Sequence, residues 1–191
     1  MAESPASDAL VAPRDHTKLA FWLFLGSEVV FFTALILTLL LHRFSHTAEF
    51  SAFRARLSIP IIGINTFILI TSSYMVVRSL EAAVHHRPTL MRYLAAVLVL
   101  GALFLAGQAF EWSTLFAEGE SFKSLLGTSF FTVTGIHGTH VLVGLIWCGV
   151  LMALIGRKAL PSPAPNVELF GLYWHFVDVV WIVLFTVIYL I

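Results

Sequence analysis

"LFGLYWHFVDVVWIVLFTVIYLI" fills positions 169–191. A helix crossing the ~30 Å hydrocarbon core of a bilayer needs ~20 mostly apolar residues, and this run supplies them. It also carries His175 and Asp178. A charged group at the bilayer centre costs at least ~2.5–3.5 kcal/mol on insertion scales. The two residues lie three apart, so they share a helix face and can meet each other or one partner on a neighbouring helix. Trp174 and Trp181 flank them at seven-residue spacing, with large apolar bodies and indole donors suited to a helix–helix contact.

Four further runs read the same way, at about 19–41, 57–79, 93–112 and 126–155. The fold expected is all-α: a polytopic membrane helix bundle with five transmembrane helices over residues 18–191. Residues 1–17 read as a mobile tail, without the basic start and apolar core of a signal peptide. The segment "SLLGTSF" (124–130) either lies along the interface or belongs to a tilted helix. "PSPAP" (161–165) reads as a stiff, extended linker.

Composition supports the membrane reading. The 191 residues are 59% hydrophobic and 12% charged, against about 45–50% and about 25% in soluble domains. The net charge is zero, so no basic field exists to hold nucleic acid. The single cysteine, Cys148, excludes an intrachain disulfide and a cysteine-based metal cluster. No phosphate loop, nucleophile elbow, HExxH or CxxC motif occurs.

Charge asymmetry orients the bundle. The tail and the second and fourth loops carry Arg14, Lys18, Arg78, Arg87, Arg92, Arg157 and Lys158. The first and third loops carry Arg43, Arg54, Arg56 and Lys123. The positive-inside rule places the N-terminus in the cytoplasm and the C-terminus outside, across a bacterial cell membrane.

The remaining candidates are polar groups inside the spans. Glu28 lies ten residues past Lys18, ~15 Å along a helix axis and close to the midplane. It reads either as a proton-responsive or lipid-contacting carboxyl or as a structural hydrogen-bonding one. In "TGIHGTHVLVG", His137 and His140 share a face. A metal there would need further ligands, which this span does not offer. Close packing at Gly135, Gly138 and Gly144, with both imidazoles bonded across the contact, is the other reading. "GQAFEW" puts Gln108 and Glu111 on one face; Glu111 either snorkels to water or is buried with Gln108. Trp112 beside them suits an aromatic belt. In "NTFILITSSY", Asn65 and Thr66 suit interhelical bonds, while Ser72 and Ser73 can bond back to their own helix.

Together these motifs resemble a known family. "YWHFVDVVWIVLFTVIYL" resembles the last helix of subunit III of the haem–copper oxidases. "GTSFFTVTGIHGTHVLVGLIW" is similar to that family's preceding motif, and "FWLFLGSEVVFF" to its helix with an intramembrane glutamate, at Glu28. "GQAFEW" matches a Gln-x-x-Glu element, and Asn65–Thr66 an Asn-Thr pair. The resemblance runs from about Lys18 to Ile191. It implies the five-helix form of cytochrome c oxidase subunit III, where the longest members have seven helices. It implies no redox centre in this chain, with haem and copper in partner subunits. The implied partners are catalytic subunit I, subunit II, a larger respiratory supercomplex and structural phospholipid. The implied role is support of proton uptake and sustained turnover in a proton-pumping oxygen reductase. A quinol oxidase subunit III, a nitric-oxide-reductase-associated subunit, a small proton transporter or channel and a lipid-binding assembly factor are the alternatives.

Overall fold

A computed structural model describes residues 13–119, 122 and 124–190. Residues 1–12 of the expected tail lie outside the described residues, as do Lys123 of the charge count and Ile191 of the last expected span. The helices are α1 (Pro13–Ser45), α2 (Thr47–Arg54), α3 (Ile59–Val84), α4 (Leu90–Ala117), α5 (Leu125–Gly156) and α6 (Ala164–Phe185). A π-helical turn, Thr186–Leu190, closes the last span. Five of these segments are long and apolar enough to cross a membrane, and no strand occurs among the described residues.

The helices outrun the apolar stretches that announce them. Residues 13–17 are already helical rather than tail, and α3 continues to Val84 rather than stopping near 79. Apolar length measures the hydrocarbon core, whereas backbone hydrogen bonding continues through the headgroup layer. There Arg78 and Arg87 both pair with Glu81, at 2.6 and 3.0 Å. The "SLLGTSF" segment does not break from its span. Ser124 caps α5 by accepting from the Gly127 N–H at 3.0 Å, and the helix runs unbroken for 32 residues. The short α2 was not legible as a helix within its loop. It buries Phe50 and Phe53 three residues apart, with Glu49 in its first turn and Arg54 in its last.

Helices α3, α4, α5 and α6 form the packed body, and α1 lies against α5 and α6. Only 17% of the apolar window of α1 is buried, against 50% for the last span. Its outward side shows Trp22, Leu23, Val30 and Phe44. The body is centred on Trp174, which is fully buried. Two glycines make room for it. A Cβ on Gly144 would lie 2.7 Å from Trp174 Cζ3, and one on Gly101 would lie 2.9 Å from Trp174 Cη2. Thus α4 and α5 approach α6 closely where the indole sits. Of the three expected packing glycines, Gly144 does this most tightly. Gly135 faces Trp112 at 3.0 Å, and Gly138 meets Leu105 at an ordinary 3.9 Å.

Gly144→Ala is expected to destabilise the bundle by ~1–3 kcal/mol, because the rigid indole cannot yield to an added methyl. Gly149→Ala meets no atom within 4 Å and serves as the control. Thermal unfolding of both variants in the same detergent tests this; equal midpoints would show that Trp174 does not depend on the gap.

Candidate functional site

The polar residues of the spans assemble into four clusters. The first joins α3 to α6. Trp174 Nε1 donates to Ser72 Oγ at 2.9 Å, and Trp181 Nε1 donates to Thr66 Oγ1 at 3.0 Å. Each hydroxyl passes its own proton back along α3, Ser72 to the Leu69 carbonyl and Thr66 to the Ile62 carbonyl. Ser73 Oγ and His175 Nδ1 share a hydrogen bond of 2.6 Å. Asp178 stands beside the same hydroxyl, with Oδ1 buried and unpartnered. His175 and Asp178 therefore converge on α3 of their own chain. Ser72 and Ser73 thus reach across to α6, with the six-residue step from Thr66 to Ser72 in α3 facing the seven-residue step from Trp174 to Trp181 in α6.

The second cluster ties α3 to α4. Asn65 Nδ2 donates to the Phe104 carbonyl at 3.0 Å. A Cβ at Gly107 would fall 2.6 Å from Asn65 Oδ1. Gly101 and Gly107 were not singled out from the sequence. Their only signal was two small residues in the third apolar run.

The third cluster lies toward the C-terminal end of α4. Glu111 Oε2 accepts from Tyr189 Oη at 2.7 Å and from Gln108 Nε2 at 3.3 Å. Glu111 is only 5% exposed, so it is a buried contact rather than a snorkelling side chain. The π-helical turn that carries Tyr189 is out of register with an α-helix, a shift no apolar pattern reports. Trp112 is half-buried. It packs edge-on against Phe131 at 5.2 Å, with its indole nitrogen buried and unpartnered.

The fourth cluster is the one that could do chemistry. His140 Nε2 lies 3.2 Å from Glu28 Oε2, linking α5 to α1. His140 Nδ1 lies 2.8 Å from the Ile136 carbonyl oxygen. A carbonyl only accepts, so Nδ1 carries a proton. A proton on the Nε2–Oε2 line, carried by the carboxyl or by the imidazole, makes that contact a hydrogen bond. The pair is net neutral in either arrangement, which lowers the burial penalty that a lone Glu28 would face. Tyr173 Oη donates to the His140 carbonyl at 2.9 Å, anchoring that turn to α6. Each partner's side chain remains 20% exposed, so the pair reaches the edge of the bundle.

His137 does not share this role. It is 1% exposed, and both ring nitrogens lack a hydrogen-bond partner. Its ring stacks on Trp181 at 5.1 Å and meets Phe104 edge-on at 5.9 Å. The expectation that both imidazoles bond across the helix contact fails for His137, because aromatic rings surround it. Among the described residues no group of three or more His, Cys, Asp or Glu gathers as a metal site. His137 is walled by rings, and His140 is committed to Glu28 and Ile136.

A family model described as Cytochrome c oxidase subunit III matches residues 7–191. The chain belongs to that family. It is 36% identical to the cytochrome c oxidase subunit 3 of Bacillus subtilis (strain 168), over 97% of this chain and 92% of that one. It is 35% identical to the cytochrome bo(3) ubiquinol oxidase subunit 3 of Pseudomonas aeruginosa, over 92% and 85%. It is 33% identical to the probable quinol oxidase subunit 3 of Staphylococcus aureus (strain USA300), over 96% and 93%. As a subunit III of the haem–copper oxidase family, the chain is a multi-pass membrane protein and one part of an oxidase complex.

Within this subunit III, α1 is pinned at three depths: Lys18 to Glu168 at 2.7 Å, Glu28 to His140, and His42 Nδ1 to Ser129 Oγ at 2.6 Å. Loss of the middle pin is expected to loosen α1. Glu28→Leu should lower stability by about 0.6–1.7 kcal/mol, the span from average to largest for interhelical hydrogen bonds in membranes. Glu28→Gln can still donate to His140 Nε2 and should lose less. A double-mutant cycle with His140→Leu checks this, and zero coupling between the sites would refute the pin.

Proposed function

We propose that this subunit III packs on catalytic subunit I of a cytochrome c oxidase, alongside subunit II, and sustains proton uptake and turnover there. Haem and copper reside in the partner subunits in this reading. The reaction of the complex is oxygen reduction coupled to proton translocation across a bacterial cell membrane. The observation that carries the proposal is the Glu28–His140 pair. It is a carboxyl–imidazole pair at 3.2 Å that reaches the edge of the bundle, and with one shared proton it is net neutral. Held within hydrogen-bond reach, the proton can sit on either partner without net charge appearing in the hydrocarbon.

The disposition of the other polar groups favours an accessory subunit over an independent channel. A conducting path needs groups at several depths facing one lumen. Here Asn65, Ser72, Ser73 and Thr66 are used at helix–helix contacts, and His137 is enclosed by rings. Cytochrome c as donor is supported by the Bacillus relatives at 36% and 35% identity, named as cytochrome c oxidase subunits. Quinol is the second reading, supported by relatives at 35% and 33% named for quinol oxidases. The excess of Arg and Lys on the N-terminal side supports a cytoplasmic N-terminus.

Two measurements test the proposal. The tagged chain, purified in mild detergent, should bring down a complex whose reduced-minus-oxidised spectrum contains haem, and that complex should oxidise reduced cytochrome c faster than ubiquinol. A preparation free of haem sinks the oxidase-subunit reading, and faster quinol oxidation replaces the donor. In the same complex, Glu28→Gln should leave assembly and initial rate intact but shorten the active lifetime. An unchanged lifetime would reduce Glu28 to a structural pin.

A further inference from the structure

A groove of about 240 Å³ runs between α4 and α5. Leu105, Gln108, Ala109 and Trp112 form its α4 wall. Gly135, Gly138, Thr139 and Leu142 form its α5 wall, with Thr134 beside them. Each wall follows the i, i+3, i+4, i+7 spacing of a single helix face. Each therefore runs for two turns, ~10 Å along its axis. A Cβ on Gly135 would lie 3.0 Å from Trp112 Cη2, and one on Gly138 would lie 3.9 Å from Leu105 Cδ2. The two faces thus lie side by side in antiparallel register. Among the described residues no other helix lines the groove, and Ala109, Thr139 and Leu142 are exposed along it.

Two features set these walls apart from an ordinary lipid-facing surface. The first is their low relief. Ala109, Gly135, Gly138 and Thr139 let another backbone come close, and close packing drives helix association where lipid tails are as apolar as the side chains. The second is a pair of polar atoms with no partner. Gln108 is 6% exposed and its Oε1 is unpartnered, as is the buried Trp112 Nε1. Gln108 reaches Glu111 only by a long bond of 3.3 Å. The terminal torsion of a glutamine is soft, so its amide turns toward an arriving donor at small cost. One hydroxyl satisfies both atoms: its proton goes to Gln108 Oε1, and its oxygen accepts from Trp112 Nε1. An acyl chain offers neither.

We propose that the α4–α5 groove seats a transmembrane helix of another subunit of the oxidase complex, carrying a Ser or Thr hydroxyl at the depth of Gln108 and Trp112. Two adjacent helix faces of equal length form the seat that a third helix fills. A second copy of this chain does not fit, because a two-fold axis sets groove against groove with no helix to fill either. The proposal rests on the chain being one part of an oxidase complex. It is independent of the electron donor and of Glu28.

The test replaces Leu142 with the photocrosslinker p-benzoylphenylalanine in the full chain, irradiates native membranes and sequences the crosslinked peptide. The expected adduct is a transmembrane peptide of one other oxidase subunit, containing Ser or Thr. The same crosslinker at Leu23, 69% exposed on α1, should not yield it. Ala109→Phe fills the groove from an exposed position and should lower the adduct about tenfold, equivalent to ~1.4 kcal/mol. Trp112→Phe keeps a ring but removes the donor, and should lower it about threefold, as for a membrane hydrogen bond of average strength. Thermal unfolding in detergent checks that each variant folds, and Thr139→Phe fills the groove from α5 if Ala109→Phe does not. Adducts with lipid alone, with a second copy of this chain, or with a helix lacking Ser and Thr overturn the proposal. So does the same adduct from Leu23, or an unchanged yield in a folded groove-filling variant. The readout needs neither haem nor an electron donor, so it fails or holds separately from the cytochrome c reading.

Discussion

An indole N–H in hydrocarbon has no water to bond, so an acceptor within the protein stabilises its burial. Trp174 and Trp181 find theirs in Ser72 and Thr66. Those two bonds fix the register of α6 on α3, and the rest of the bundle follows. With Trp174 held, Gly144 and Gly101 are the positions where α5 and α4 can close on α6. With Trp181 held, His137 has an aromatic surface to stack on. Because both hydroxyls pass their protons to their own helix, each acts as a pure acceptor toward the indole, and no donor competes with it.

The same constraint separates packing groups from the one pair suited to proton chemistry. Groups deep in the α3–α4–α6 body are bonded to one another or enclosed by rings, and their freedom to exchange a proton with the surroundings is small. Glu28 and His140 differ because α1 is peripheral. The helix is pinned by polar contacts near its start, middle and end, so Glu28, the one carboxyl within its apolar run, lies at a seam rather than in the core. The pairing also explains how a carboxyl survives there: the partner imidazole, fixed by the Ile136 carbonyl, makes the unit neutral.

Membership of the oxidase family and the geometry describe the same object from two sides. The matched region extends over nearly the whole chain, and its motifs are the residues that stitch helices together. "YWHFVDVVW" supplies the α6 side of the seam, "NTFILITSS" the α3 side, and "GQAFEW" the Glu111 cluster. The family pattern is thus in large part a packing pattern, as suits a subunit whose bundle must hold its shape inside a larger complex.

Much of this was legible in the residues themselves. Apolar length gave the five spans, because transfer into hydrocarbon is a sum over local side chains. The i, i+3 and i, i+7 spacings gave which residues share a face, because helical geometry is fixed. What local sums cannot state is who stands opposite. That Asp178 and His175 meet Ser73, that Glu28 meets His140, and that His137 meets only rings depends on helix order and rotation. So does the burial of Glu111, which rests on a π-turn that brings Tyr189 around. These were decided by tertiary packing, since a buried polar group is stabilised by a partner distant in sequence, and no single run of residues contains both halves of the pair.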